Sequence, residues 1–489
     1  MTLNLIEDPW IAVRCRDGSR RTITPWQMAL PEIVAPDWHR PDFDIACLEL
    51  LIGLVFLADP PADVTDWKRR RSADPARLRE RLAAFAPAFN LLGEGPCFLQ
   101  DFAPLEGAAR PVDTLFIDSA GESAVGKNSD VMMHRDRYDS LDLPMAAMAL
   151  YTLQDFAPAG GAGIRTSMRG GGPLVTLLDP REGQGSLWDL IWANVPCGQP
   201  GRAEDLPWMR PTRVSDTGQQ SLPPEGALFA PEAFFGQPRR LRLVAEGDRV
   251  SGVIQRKHGT NYALWKHPLS PYYRMKPGTE WLPKHPRAGR FGYRNWLGII
   301  AEQKKDDLSE LALCLRDWNG RQGGGSVIVA GWAMDNMKPR DFILSVQPVL
   351  DLVDEGWMRL AALIEAAEAA ALALRGALEP VLAAGEAREA ERETFFAQTE
   401  ARFLTHLDMI RAGGDPAANW LADLRTQAMG QFEKLAFAGI ETRETDRMQE
   451  IFEQWKFLGL AFAGYGKQGK AIFDALNLPL PEKKKGKAA

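Results

Sequence analysis

Pro158-Ala-Gly160-Gly161-Ala162-Gly163-Ile-Arg165-Thr-Ser-Met-Arg169-Gly170-Gly171-Gly172 runs straight into Pro173-Leu-Val-Thr-Leu-Leu178. A long glycine-rich loop feeding a short apolar strand sets the reading of the first 350 residues: an irregular α+β domain with short strands and long loops. Glycines let a backbone approach a ligand closely and expose its N–H groups. Arg165 and Arg169 add positive charge, so the loop suits a phosphate or the floor of a nucleic-acid groove. It lacks the G-x-G-x-x-G spacing of a dinucleotide fingerprint. A tight loop with no ligand is the plain alternative.

Working outward, Leu241-Arg-Leu-Val and Gly325-Ser-Val-Ile-Val-Ala are further short strand runs. Trp10-Ile-Ala-Val-Arg and Arg21-Thr-Ile-Thr flank Asp17-Gly18, a tight-turn pair, and predict a hairpin. Thr24-Pro25 and Asp74-Pro75 read as helix caps followed by proline, the second opening a helix with Leu78, Leu82 and Phe85 on one face. Ala46 to Leu57, stopped by Pro60-Pro61, predicts a core helix. After Leu350 proline becomes rare and Ala, Glu, Leu and Arg dominate. Four helical stretches are expected: Val353–Ala384 with a kink at Pro380, Arg388–Arg411, one opening at Asp415-Pro416 and carrying Leu421, Leu424, Phe432 and Leu435, and one from Thr442. The stripe Met448, Ile451, Phe452, Trp455, Leu458 and Phe462 on the last is expected in the core. The fold class is therefore α+β: a large irregular mixed N-terminal domain (1–350) followed by a C-terminal four-helix bundle (351–480), with 481–489 a disordered basic tail.

Composition excludes several classes. The chain has 489 residues, 45% apolar and 25% charged, enough for a sizeable core. Five scattered cysteines make no C-x-x-C motif and read as buried thiols of a cytoplasmic protein. The apolar stretch Trp357–Ala377 is interrupted by Arg359, Glu365, Glu368 and Arg375, so no membrane span is expected. None of the six histidines forms H-E-x-x-H, and neither a G-x-S-x-G elbow nor a P-loop is present. That removes the common metal-hydrolase, serine-hydrolase and P-loop mechanisms without excluding catalysis; the expectation of no catalytic residue, cofactor or metal rests on the family resemblance given below.

The net charge of −6 hides an asymmetry. Residues 239–294 carry thirteen Lys/Arg against three Asp/Glu. Within that segment Arg256, Lys257, Lys266 and Arg274 are interleaved with Asn261, Tyr262, Trp265 and Tyr272-Tyr273. Such mixtures meet phosphates, sugars and base edges together; a solvated basic surface is the alternative. A third feature, Gly331-Trp-Ala-Met-Asp335-Asn336-Met337-Lys338, reads as a turn after a strand. Met can wedge, Asn can read a groove edge and Lys can meet phosphate.

These features follow the opening Asn4-Leu-Ile-Glu-Asp-Pro-Trp10-Ile-Ala-Val and stand beside Gln154-Asp-Phe and Trp265-x-His267-Pro268-x-x-Pro271. The pattern resembles the CasA family, the large subunit of Cascade, the type I-E CRISPR surveillance complex, over essentially the whole chain. The resemblance implies a non-catalytic reader of the protospacer-adjacent motif (PAM) that approaches duplex DNA from the minor groove and starts R-loop formation. It implies double-stranded target DNA, a CRISPR guide RNA, other Cascade subunits and a helicase–nuclease as partners. By motif, the glycine loop falls on Gly160, Gly161, Ala162 and Gly163, the lysine finger on Lys257, and the wedge on Asp335, Asn336 and Met337 with Lys338. A guide-contacting loop falls on Met132, Met133, His134 and Arg135. Arg165, Arg169, Arg256, Lys266 and Arg274 are candidate DNA-backbone contacts. Known members carry a glutamine in the wedge, and some carry paired cysteines resembling a zinc site; this chain has neither. Two rivals stay open: a nucleotide-binding enzyme using Gly160–Gly172, and a purely structural subunit without DNA contacts.

Overall fold

The computed structural model describes residues 2–121, 125–128, 135–225, 229–303, 307–321 and 324–482. The chain divides into two compact units, Met1–Ala288 with Asp306–Val349, and Gly289–Lys305 with Leu350–Ala489. The first mixes helices with small antiparallel sheets; the second is helical.

In the first unit, Ile11–Cys15 pairs with Arg20–Ile23 across the expected Asp17-Gly18 turn, where Gly18 adopts φ +83°, and with Ile33–Pro36 on its other side. The helix Pro41–Ala58 starts on a proline, carries Asp42 and Asp44 in its first turn and ends before Pro60. It is buried on every face, and Glu49 lies fully buried at its middle. Beside it packs Leu143–Phe156, opened by the Asp142 carboxylate, which accepts the Met145 N–H at 2.8 Å. Asp74 caps Pro75–Ala83 in the same way, with Leu78 and Leu82 buried.

Three further sheets form around these helices. Arg249–Arg256 lies between Arg240–Glu246 and Leu141–Asp142. Ser326–Asp335 lies between Val175–Asp179 and Lys338–Pro348. Tyr272–Tyr273 lies between Leu282–Pro283 and Ser309–Glu310. All these strand pairings are antiparallel; some are hairpins, such as Arg240–Glu246 with Arg249–Arg256, whereas Val175–Asp179 pairs with the distant Ser326–Asp335.

The helical unit departs from expectation in four respects. Among the described residues it holds five helices: Asp354–Ala377, Gly385–Arg411, Ala417–Ala436, Thr445–Ala461 and Gly466–Ala475. The fifth packs against the first. The first helix stops at Ala377 rather than kinking at Pro380, as a residue lacking an N–H favours. The stripe on Thr445–Ala461 is split: Ile451, Leu458 and Phe462 are buried, whereas Phe452 and Trp455 are exposed. Helical spacing alone cannot say how wide the covered face is. Finally, 289–305 joins the helices. Tyr293 stacks on Phe403 with centroids 4.1 Å apart, and its hydroxyl hydrogen-bonds Thr399 at 2.8 Å. Trp296 meets the same Phe403 edge-on.

No helix among the described residues is long and apolar enough to cross a membrane. Cys15, Cys47, Cys97 and Cys314 are buried thiols and Cys197 is half-buried.

Tyr293→Ala is expected to destabilise the helical unit by about 3 kcal/mol, because the ring fills its core. Tyr293→Phe should cost only about 1 kcal/mol, the value of one hydrogen bond. Urea unfolding of the two variants checks this; equal losses would show that the stacked ring contributes nothing.

Candidate nucleic-acid interface

The glycine-rich segment leaves Leu143–Phe156 and is closed at its base. Ser167 N–H donates to the Ala157 carbonyl at 2.9 Å, and Gly172 N–H to the Phe156 carbonyl at 2.8 Å. Inside the closure, Ile164 N–H donates to the Gly161 carbonyl at 3.1 Å, forming a turn in which Gly161 adopts φ +99° and Gly163 φ +81°. Gly160, Gly161 and Ala162 are exposed, and a Cβ on Gly161 would meet nothing. Gly163 is different: a Cβ there would lie 3.1 Å from Lys257 Cβ and 3.2 Å from His258 Cε1. Its carbonyl accepts the His258 N–H at 2.7 Å. The fold thus brings the glycine turn and Lys257, far apart in the sequence, into contact.

Lys257 follows directly on the strand Arg249–Arg256 and is exposed. Neither it nor the exposed Arg256 makes an ion pair among the described residues. Arg256 stands across from Arg240, whose guanidinium is held by Asp101 at 2.5 Å.

The other candidate cations are placed differently. Arg169 is 1% exposed and cannot face a DNA backbone, which corrects its expected place. Its guanidinium reaches Glu49 and Asp155, each at 2.7 Å, and the Ser270 hydroxyl at 2.9 Å. Arg165 turns back onto Ser215, donating to its hydroxyl at 2.9 Å and its carbonyl at 3.1 Å. Lys266 is ion-paired to Glu310 and Arg274 to Asp307, and both cations lie over the Trp281 ring, at 4.8 and 4.6 Å. These carboxylates blunt two charges that the local sequence leaves open.

The wedge residues occupy the tip of the hairpin formed by Ser326–Asp335 and Lys338–Pro348. Asp335 pairs with Lys338, and Asn336 (φ +48°) and Met337 (φ +63°) make a two-residue turn of the kind that matches strand twist. Met337 is 54% exposed. The Asp335 carboxylate is tied to Arg340 at 2.7 Å and to the Asn336 amide at 3.0 Å. Of the guide-loop residues, Met132, Met133 and His134 lie outside the described residues; Arg135 donates to Asn128 Oδ1 at 3.1 Å.

Sequence reasoning missed the residues that hold the loop. Gln154 donates its amide to the Leu99 and Arg239 carbonyls, both at 3.0 Å, and accepts the Arg239 N–H. The buried Arg239 then donates to the Arg165 carbonyl at 3.2 Å and to that of Pro158, and burial pushes it down to about 10. Glu49 is pushed well above the usual carboxylate range by burial, against the pull of Arg169. His267 Nδ1 accepts the Leu269 N–H at 3.2 Å, so the neutral ring carries its proton on Nε2, 3.5 Å from Glu49. Burial first, and Arg169 second, hold it well below the ordinary histidine range. A lone acid within the apolar run Ala46–Leu57 was the available signal: a buried carboxylate calls for a partner.

A protein-family model, CRISPR-associated protein Cse1, matches residues 4–431. The chain belongs to the Cse1 family. The match takes in the glycine loop, Lys257 and the hairpin tip, and ends inside the helix Ala417–Ala436. Solved Cse1 folds are similar throughout. Cse1 of Thermobifida fusca gives a TM-score of 0.70 at 17% identity, covering 97% of this chain and 98% of that one. CasA of Thermus thermophilus gives 0.68 at 19%, covering 93% and 99%. A chain of a CRISPR RNA-guided surveillance complex gives 0.68 at 16%, covering 94% and 99%.

Asp155, Arg169 and His267 thus meet in one buried cluster. A histidine held neutral by the fold contributes stability above its unfolded value of about 6.5, and this is lost as pH falls. Glu49, raised in the fold, contributes with the opposite sign. His267→Asn keeps an acceptor near the Nδ1 position and removes the titration. Wild type should therefore lose more stability than His267→Asn between about pH 7 and about pH 5. Urea midpoints across that interval decide; parallel pH profiles would place the acid sensitivity elsewhere.

Proposed function

We propose that this Cse1-family chain is the large subunit of a type I-E Cascade complex, that it recognises the PAM from the DNA minor groove, and that it wedges the duplex open to begin the R-loop. The observation that carries the reading is the contact of Gly163 with Lys257. A glycine-rich turn lies against Lys257, an exposed cation with no ion pair among the described residues, with Arg256 beside it. The minor groove offers a degenerate edge code, so a backbone surface and a single lysine suit a tolerant reader there.

Strand opening needs no bond-breaking. Unstacking a base step costs a few kcal/mol. Exchange of DNA pairing for guide pairing is then nearly balanced, so a small apolar tip can decide initiation. Met337 at the hairpin tip supports this role. A guide RNA, the other Cascade subunits and a docking helicase–nuclease follow from the family. The nucleotide-binding rival is weakened, because Arg165 and Arg169, the cations it would place on a phosphate, are spent on Ser215, Glu49 and Asp155.

In the assembled complex, Lys257→Ala should weaken target-duplex binding by about tenfold and lower the salt slope by about one. Asn336→Ala with Met337→Ala should instead slow R-loop formation on paired DNA and spare a pre-opened bubble. Gel shift at matched salt and single-turnover R-loop kinetics are the readouts. Unchanged affinity in the first variant would favour a purely structural subunit; an equal defect on both substrates in the second would remove the wedge.

A further inference from the structure

The second glycine group, Gly170-Gly171-Gly172, is not part of the exposed turn. Each residue is pressed against a different segment. Gly170 (φ +80°) faces His285: a Cβ there would lie 2.7 Å from the ring Nε2. On Gly171 it would lie 2.7 Å from Pro158 Cα, at the entry of the glycine loop. On Gly172 (φ +64°) it would lie 2.2 Å from the Trp332 carbonyl oxygen and 3.0 Å from Met334 Cε, both on the strand that leads to Asn336-Met337. Gly331 of that strand in turn abuts the Pro173 carbonyl and Pro286. The brace is itself fixed: Leu174 N–H donates to the Lys284 carbonyl and Lys284 N–H to that of Pro271, both at 2.9 Å.

One short stretch therefore touches the loop entry, the hairpin strand and the Lys284–Pro286 brace at once. At Gly171 and Gly172 the nearest neighbour is backbone, which leaves no flexible side chain to absorb a shift. A side chain at Gly172 would therefore displace the hairpin strand relative to the loop.

We infer that Gly170–Gly172, braced by His285, is a positioning junction that sets the wedge hairpin at the correct offset from the surface of Gly163 and Lys257, so that a duplex held on that surface meets the Asn336–Met337 tip. The inference rests on the reading of that surface and tip as the duplex-contacting face. The triplet touches no DNA; it acts through the hairpin.

The test uses the assembled complex and two variants. Gly172→Ala places a methyl against the Trp332 carbonyl and should push the hairpin strand away. It should leave equilibrium duplex affinity within about twofold, slow R-loop formation on a fully paired target by about tenfold, and restore near wild-type rates on a pre-opened bubble. His285→Ala loosens the brace without inserting an atom. His285 is exposed, so its truncation is expected to leave the fold intact, which a melting curve checks; the variant should show the same pattern at about threefold. A melting curve reports whether Gly172→Ala is folded, and if it is not, His285→Ala alone decides. Wild-type rates on paired DNA overturn the inference. So does an equal loss in binding and opening, which would make the segment part of the binding surface or of general stability. Lys257→Ala is run alongside: if it leaves affinity unchanged, the reading of that surface fails, whatever the junction variants do.

Discussion

Arg169 is the constraint on which the N-terminal unit turns. Taking a guanidinium out of water costs several kcal/mol, and only close, well-aimed acceptors offset it. Here the offset comes from Glu49 on one buried helix and Asp155 at the end of another, each at 2.7 Å. The pairing joins two helices and the glycine-rich segment at a single point. Removing any partner would strand a charge in the core, so the three positions are bound together. Ser270 and the neutral His267 complete the polar shell, and the chain around His267-Pro268 is drawn to the same point.

That clamp explains why one loop holds both buried and exposed glycines. Arg169 and Arg239 fix its base and its carbonyls. The turn at Gly160–Gly163 then projects with the Ala162 methyl as its one side chain, and Lys257 is delivered to it from a strand end. In the proposed role this division suits a reader that must tolerate several sequences: rigid support below, few discriminating side chains above. The flanking cations that could have made the surface indiscriminately sticky, Lys266 and Arg274, are paired with acids.

Much of the fold is legible in the sequence because local rules decide it. Asp17-Gly18 demands a turn, Asp74-Pro75 a helix start, and the apolar run after Ala46 a buried helix. The fate of charges is not local. Arg169 and Lys257 look alike in a string, yet one is buried by an acid 120 positions away and the other is exposed. Tyr293 lies in a Gly- and Pro-rich stretch with no periodicity, so nothing nearby reveals that it plugs the helical core. Phe452 and Trp455 obey helical spacing and still stay outside, since spacing fixes a face but not what covers it. For the candidate site, motif order pointed to the glycine turn, Lys257 and the hairpin tip, and the loop-holding residues Glu49 and Arg239 could be found only in three dimensions.

The most direct measurement is a structure of the assembled complex on a target duplex caught before strand exchange. The account predicts the Lys257 ammonium and the Gly160–Gly163 backbone in the minor groove of the PAM, with Met337 against the first base pair to open. A duplex bound on another face, with Lys257 still in solvent, would contradict it.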